Sequence, residues 1–385
     1  MCSIYFLVLA ILLPCCVEIL SLSCCNAMKE TLRYLAGIAG PSGYGSKTTA
    51  EQVVRNSSSP PHHLTAIITG ATSGIGAETA RVLAKRGVRV VIPARDLKKA
   101  VALKEGIQKE NPNAEIVLFE IDLSSLASVG RFCTRFLALG LPLNILINNA
   151  GIFSQNLEFS EDKIEMTFAT NYLGTPTAMT LFIDRNVIRE DGRNSRANRH
   201  PRKNHKPFFC NSQLGQKRLL QLHPNAQPQQ VINHFTHSLS LIYSWTDAGF
   251  YVRDGDCSYN ATRAYAQSKL ANILHAKELT RQLKARNARV TINAVHPGIV
   301  KTGIIRAHKG FITGRFSILH CFEIAQVYLT ALSPQAQELS GKYFADCNEC
   351  NCSALADDES EARRLWRQTR ALIHRRLQYQ LPAPS

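Results

Sequence analysis

The chain has 385 residues, 45% of them apolar, a composition typical of a globular protein with one large or two ordinary domains. Its formal net charge is +16 at pH 7, and one segment of about a tenth of the chain, 184–223, carries +7 of it. A local concentration differs from the extended basic surface of nucleic-acid-binding proteins, so we expect no nucleic-acid partner.

The first segment, 1–27, is an apolar N-terminal extension. Its apolar run, 3–22, is interrupted by Pro14 and Glu18, and the uninterrupted part has the length of a signal-peptide core rather than of a membrane span. Because no basic region precedes the run, we interpret it as a weak signal or anchor. The alternative is a mature protein that begins near Met28.

A linker, 28–63, follows, and it is predicted to hold one short helix near 48–55. From residue 64 onward, apolar strands alternate with helices. The strands are predicted at 65–69, 88–94, 115–121, 143–147, 231–235 and 289–295, and the helices at 75–87, 96–110, 124–139, 161–173 and 262–285. This alternation predicts one α/β domain over 64–357, a doubly wound parallel sheet with the three-layer αβα arrangement of a Rossmann fold.

The alternation breaks in one stretch, 184–230. This stretch is rich in Arg, Lys, Asn, Gln and Pro, has few apolar residues and shows no clear period. Such a composition indicates a disordered segment or a long surface insertion within the domain.

A glycine-rich turn lies between the first strand and the first helix of the domain. Gly70, Gly74 and Gly76 are spaced so that the first allows a tight turn, the second admits phosphates and the third packs helix against strand. Together with Ser73 and Ile75, they predict a dinucleotide site with the pyrophosphate at the helix N-terminus.

The ends of the next two strands carry candidate contacts to the rest of the nucleotide. Arg95 is suited to pair with a 2′-phosphate, which favours NADPH, whereas Asp96 beside it would suit the ribose of NADH. Asp122, followed by Leu123, is placed to receive the adenine amino group. The alternative for Asp122 is that it caps the helix beginning at Ser124.

Tyr265 and Lys269 are predicted to share one face of a helix, since they are four residues apart. A phenol is a poor acid or base at neutral pH, and a neighbouring ammonium is expected to lower its pKa. We therefore predict that Tyr265 transfers a proton and that Lys269 assists it and holds the nicotinamide ribose.

These motifs resemble the short-chain dehydrogenase/reductase family. The matching segments are Thr69–Gly76, Asn148–Gly151, Asn171, Tyr265-x-x-x-Lys269 and Pro297–Thr302. The surroundings of Asn171, Tyr265 and Pro297 resemble a plant branch related to retinol dehydrogenases and to a dehydrogenase associated with the chloroplast inner-envelope translocon.

The resemblance implies roles for further residues. Asn171 is implied to relay protons through a water, with Tyr265 as general acid/base. Cofactor contacts are implied for Asn149, Ala150, Gly151, Pro297, Gly298 and Thr302.

The family's serine, which polarises the substrate carbonyl, has no clear counterpart here. Ser240 is the best candidate, and Thr236 and Ser238 remain alternatives. Pro176 is expected to disturb the helix after Asn171. If 184–230 is foreign sequence, the fifth strand is expected to be poorly formed and activity lost.

The C-terminal part holds two further features. Cys347, Cys350 and Cys352 have part of the spacing of a metal site, but no second ligand pair follows, so we expect no metal. Residues 358–385 form a tail whose basic amphipathic helix, 358–380, is a candidate for binding calmodulin or an anionic membrane, or for docking one face on the domain.

The sequence therefore predicts an NADP(H)-dependent oxidoreductase that interconverts a small-molecule alcohol and a carbonyl. The alternatives are a non-catalytic NADPH-binding redox sensor or regulatory subunit of a membrane complex, and a light-driven pigment reductase. The resemblance implies a chloroplast location at the inner envelope or another membrane, with the cytoplasm as alternative. The oligomeric state, a homo-oligomer included, stays open.

Overall fold

The computed structural model describes residues 36–56, 64–184, 229–234, 259–288, 290–296 and 339–379. The strands are β1 (Thr65–Ile68), β2 (Arg89–Ala94), β3 (Ile116–Glu120), β4 (Ile145–Asn148), β5 (Gln229–His234), β6 (Val290–His296), β7 (Tyr343–Ala345) and β8 (Asn348–Cys350). The helices are α1 (Ala50–Asn56), α2 (Gly74–Lys85), α3 (Leu97–Glu110), α4 (Leu126–Ala138), α5 (Met166–Phe168), α6 (Gly174–Asp184), α7 (Ala261–Ala285) and α8 (Glu359–Tyr379). A π-helical turn, Ala169–Leu173, joins α5 to α6, and a 3₁₀ turn, Ala354–Ala356, precedes α8.

The described strands form one sheet in the order β3-β2-β1-β4-β5-β6-β7-β8. Neighbours from β3 to β7 are parallel, and β8 is antiparallel to β7. The order reverses at β1, which lies between β2 and β4. This is the switch point at which doubly wound sheets bind ligands, beyond the carboxyl ends of the strands, and the predicted fold class is confirmed.

Both faces of the sheet are covered by apolar side chains. Ala66 and Ile68 of β1 belong to one buried cluster, whereas Ile67 between them belongs to the cluster on the opposite face. The same division separates Ile145 and Ile147 from Leu146 in β4. Because neither face meets water, these strands are continuous apolar runs rather than alternating ones.

The helix predicted at 161–173 begins later and continues further than expected. It starts at Met166, passes through the π turn and reaches Asp184 as α6, without ending at Pro176. Pro176 lies in the first turn of α6, where a proline is tolerated. The irregular part of this helix is therefore the π turn before Pro176, not a break at the proline.

The fifth strand is formed, contrary to the expectation for a foreign insertion. Strand β5 pairs with β4 and with β6, so that Ile147 is in register with Ile232 and Ile232 with Asn293. Asp184 ends α6 and Gln229 begins β5, so residues 184, 229 and 230 of the predicted insertion lie in regular elements. Residues 185–228 lie outside the described residues.

The hairpin β7–β8 was not predicted. Its two-residue turn, Asp346–Cys347, has φ angles of 50° and 65°, the left-handed conformation of a tight hairpin turn. Asn348 connects this hairpin to the N-terminal segment, since its Oδ1 accepts from the Ser42 N–H at 3.0 Å and its Nδ2 donates to the Tyr44 carbonyl at 3.0 Å.

Helix α8 docks one face on the domain, which is one of the arrangements predicted for 358–380. Leu365, Thr369, Leu372 and Ile373 on that face are buried, and the opposite side carries exposed arginines. Binding of calmodulin or of an anionic membrane stays a prediction. In the part of the chain that the structure describes, no helix is both long and apolar enough to cross a membrane; the apolar run 3–22 lies outside it.

Candidate active site

The glycine-rich turn after β1 is packed closely against the end of β4. Gly70 has a φ of +66°, and a Cβ added there would lie 2.7 Å from the Ala150 Cα. A Cβ added at Gly76 would lie 2.5 Å from the Gly70 carbonyl oxygen and would collide with the Asn149 amide. Neither position therefore accepts a side chain. Gly74 is exposed at the opening of the turn with nothing near its Cβ position, but its φ of +56° also disfavours a side chain.

Asn149 holds this turn in place. Its Nδ2 donates to the carbonyl oxygens of Thr69 at 3.1 Å and of Gly70 at 3.2 Å. In return, the Thr69 hydroxyl accepts from the backbone N–H groups of Asn149 at 3.1 Å and of Ala150 at 3.2 Å. Asn149, predicted as a cofactor contact, thus shapes the cofactor turn in this structure.

The N-terminus of α2 opens onto the same turn. Ser73 is its N-cap residue, yet the Ser73 side chain makes no capping hydrogen bond, and Ser73 itself is exposed. Ile75 in the first turn is buried. The first backbone N–H groups of a helix lack intrahelical acceptors, so an uncapped N-terminus is suited to bind an anion.

At the end of β2, Arg95 and Asp96 differ in what they contact. The Asp96 Oδ1 accepts from the Lys99 backbone N–H at 3.2 Å and caps α3, and this hydrogen bond is the main cause that lowers the Asp96 pKa. Arg95 is exposed beside it. Of the two residues, Asp96 is thus the one engaged with its own helix.

The residues after β3 are held by local contacts. The Asp122 Oδ1 accepts from the backbone N–H of Ser124 at 2.9 Å and from its hydroxyl at 2.7 Å. The N-cap of α4 is Ser125 rather than Asp122. Leu123 is buried, and its carbonyl oxygen lies close to Gly174, where an added Cβ would be 2.5 Å away.

Tyr265 and Lys269 lie one turn apart on α7, and both are buried. The Lys269 Nζ lies 5.1 Å from the centroid of the Tyr265 ring and 3.2 Å from the position of a Cβ added at Gly151. The Phe153 ring packs against Tyr265, with ring centroids 5.6 Å apart. The phenol and the ammonium therefore meet the loop that follows β4.

The expected lowering of the Tyr265 pKa is not seen in this structure. Burial raises the Tyr265 pKa above its ordinary value, and burial lowers the Lys269 pKa to about 8. Because Lys269 lies over the ring and is itself desolvated, burial dominates the ionisation of both groups. Tyr265 is consequently held in its protonated form.

Asn171 lies in the π turn and fixes the loop after β4. Its Oδ1 accepts from the Ile152 N–H at 2.7 Å, and its Nδ2 donates to the Ile152 carbonyl at 2.9 Å and to the Ser268 hydroxyl at 3.1 Å. Ser268 precedes Lys269 on α7 and donates to the Tyr265 carbonyl at 2.7 Å. The structure thus brings Asn171, Tyr265 and Lys269 together.

Sequence reasoning missed Ser268 and Asn272 on α7. Both side chains are buried and contact Asn171, the second through a 3.0 Å hydrogen bond from its Nδ2 to the Asn171 carbonyl. A local signal showed only that the two side chains share one face of α7, because they are four residues apart; it did not report their contacts with Asn171. The predicted serine and its alternatives, Ser240, Thr236 and Ser238, lie outside the described residues, and so do Pro297, Gly298 and Thr302.

Comparisons with known proteins identify the relatives of this chain. A family model described as short chain dehydrogenase matches residues 64–193. The chain is 38% identical over 346 residues to the short-chain dehydrogenase TIC 32 A, chloroplastic, of Brassica napus, covering 88% of this chain and 96% of that protein. It is 33% identical over 325 residues to retinol dehydrogenase 14 of Mus musculus, covering 79% of this chain and 84% of that protein.

A solved structure of an uncharacterised protein from Mycobacterium paratuberculosis has the same fold. The TM-score is 0.55 at 24% sequence identity, and the match covers 82% of this chain and 96% of that one. The conclusion rests on the fold, on the glycine turn, on the Tyr265–Lys269 pair and on the extensive sequence identity to the named relatives. This chain belongs to the short-chain dehydrogenase/reductase family of oxidoreductases.

Proposed function

We propose that this protein is an NADP(H)-dependent oxidoreductase that interconverts an alcohol and a carbonyl. The observation that carries this proposal is the buried pair Tyr265 and Lys269 on α7. The Lys269 ammonium lies against Gly151 at the end of β4. The glycine turn after β1 reaches the same edge of the sheet, where the strand order reverses.

The residues present fit a dinucleotide. Gly70 and Gly76 leave the turn free of side chains, and the N-terminus of α2 supplies N–H groups for phosphate. Arg95 supports NADPH over NADH, because a guanidinium pairs with a 2′-phosphate while Asp96 is engaged in capping α3. Lys269 is proposed to hold the nicotinamide ribose, and Asp122 the adenine amino group.

The protein side of the reaction is acid–base chemistry. When bound, the nicotinamide supplies or accepts the hydride. Tyr265, which burial keeps protonated, gives its proton to the oxygen of the reduced carbonyl. Lys269 is charged below its pKa of about 8 and stabilises the tyrosinate that results. Ser240 is proposed, from the sequence resemblance, to orient the substrate oxygen.

The named relatives support a choice of substrates and of location. Retinol dehydrogenases among them support testing an apolar aldehyde such as all-trans-retinal. The chloroplastic relatives support a chloroplast location. Within that location, we propose that the protein associates with the inner envelope or with another membrane.

The test uses the full chain with NADPH and a panel of carbonyls that includes all-trans-retinal. We expect carbonyl-dependent loss of NADPH absorbance that Tyr265→Phe abolishes. Tyr343→Phe is the matched control, since it removes the hydroxyl of another buried tyrosine, on β7. NADPH binding without turnover of any carbonyl would instead favour the non-catalytic sensor or regulatory subunit.

A further inference from the structure

Asn272 makes a contact to Asn171 that the acid–base scheme does not use. It lies on α7 one turn beyond Lys269, and only 5% of its surface is exposed. Its Nδ2 donates to the main-chain carbonyl oxygen of Asn171 at 3.0 Å. A buried amide aimed at the backbone of a proposed catalytic residue suggests a role in placing that backbone.

The side chain of Asn171 leaves little capacity for a water. Its Oδ1 and Nδ2 are both bonded to the backbone of Ile152, and the Nδ2 also donates to Ser268. The main-chain carbonyl has two lone pairs, of which Asn272 takes one. The second lone pair is one acceptor through which Asn171 can hold a relay water, and the unused lone pair of Oδ1 is another.

The local sequence explains why this carbonyl is accessible to a side chain. In a π-helical turn, the carbonyl of one residue accepts from the N–H five positions later. For Asn171 that position is Pro176, which has no N–H. Pro176 therefore cannot donate to this carbonyl, and Asn272 supplies a side-chain donor to it.

We propose that Asn272 is a positioning residue that aims the Asn171 carbonyl at the water of the proton relay, an inference that rests on the proposed function. After Tyr265 has given its proton to the substrate oxygen, a proton returns from solvent through this water and Lys269. Ser268 and Asn272, four apart on α7, hold the side chain and the carbonyl of Asn171 respectively. Helix α7 thereby carries the proton donor Tyr265 and Lys269, and it also holds Asn171 in place.

The test compares Asn272→Leu with Thr280→Val in the full chain. Both changes remove a buried polar group from α7, but Thr280 bonds to Ile292 and Ser340, away from Asn171. We expect Asn272→Leu to lower kcat at least tenfold and to increase the solvent deuterium isotope effect, with Kd for NADPH within twofold. Thr280→Val should leave all three within twofold of the wild type.

A measurement without cofactor accompanies the kinetics. Hydrogen exchange of a peptide covering the π turn should be faster in Asn272→Leu than in Thr280→Val. Asn272→Asp provides a rescue, because burial raises the pKa of a carboxyl and its protonated form can donate to the Asn171 carbonyl. We expect the kcat of Asn272→Asp to recover toward the wild-type value as pH falls. This variant also tests the proposal if Asn272→Leu fails to fold.

The outcomes separate this inference from the proposed function. A wild-type protein that reduces no carbonyl refutes the proposed function. A wild-type enzyme that is active, with Asn272→Leu matching Thr280→Val in kcat and isotope effect, overturns the positioning role. An Asn272→Asp enzyme whose kcat does not rise at lower pH, relative to wild type, also counts against it.

Discussion

The buried histidine His275 makes folding stability depend on pH in a way that can be calculated. Its side chain lies on α7 between Tyr172 and Trp366, and the residue is 2% exposed. Its Nδ1 is 3.3 Å from the Tyr172 hydroxyl, which in turn is 2.7 Å from the Thr369 hydroxyl of α8. Within the part of the chain that the structure describes, the Nε2 has no hydrogen-bond partner.

Burial lowers the pKa of His275 from 6.5 to about 3. The folded state therefore keeps the imidazole neutral, whereas the unfolded chain protonates it below about pH 6.5. Between these two pKa values the unfolded state binds one more proton, and stability falls by roughly 1.4 kcal/mol per pH unit. Lowering the pH from 7.5 to 5.0 should thus cost about 2 kcal/mol through this residue alone.

The assay is urea unfolding of the full chain at pH 7.5 and pH 5.0, for wild type and His275→Gln. Glutamine does not titrate, so the variant keeps a polar side chain but lacks the linkage. We expect the wild type to lose about 2 kcal/mol more than the variant between the two pH values. Equal losses in the two proteins would refute the inference that His275 is neutral in the fold.

Three further predictions concern the proposed cofactor site. Arg95→Asp should weaken NADPH binding at least tenfold while changing NADH binding little, and equal weakening in fluorescence titrations would contradict the 2′-phosphate assignment. The rate of carbonyl reduction should fall above about pH 8 as Lys269 loses its proton; a flat pH profile through pH 9 would argue against that role. Gly70→Ala should abolish NADPH binding, because the added Cβ would collide with Ala150. The control Gly106→Ala has open space around its Cβ in α3, so this variant should bind NADPH normally and unfold at a slightly higher temperature.

The elements dictated by local pattern could be predicted from the sequence. Strands β1 to β4 were expected within a few residues, since strands covered on both faces are apolar runs between turn residues. The glycine turn was expected because few other sequences allow the close approach seen at Gly70. The position of Tyr265 and Lys269 on the same face of one helix follows from their spacing alone.

What could not be predicted depends on contacts between distant segments. The strands of the hairpin β7–β8 have only three residues each, and the hairpin is fixed by pairing with β6 and by Asn348. The pKa of Tyr265 was expected to be lowered by its neighbour, but burial on the assembled domain outweighs that effect. The contact of Asn272 with the π turn joins residues 101 positions apart, which no local pattern reports.

Hydride transfer from the nicotinamide to a carbonyl can be followed directly with deuterium. The full chain would be incubated with NADPH carrying deuterium at nicotinamide C4 and with the carbonyl from the panel that is reduced fastest, beside Tyr265→Phe. We expect deuterium on the carbinol carbon of the product in the wild type and none above background in the variant. NADPH bound tightly by both proteins, with no deuterium transferred by either, would contradict the proposed function.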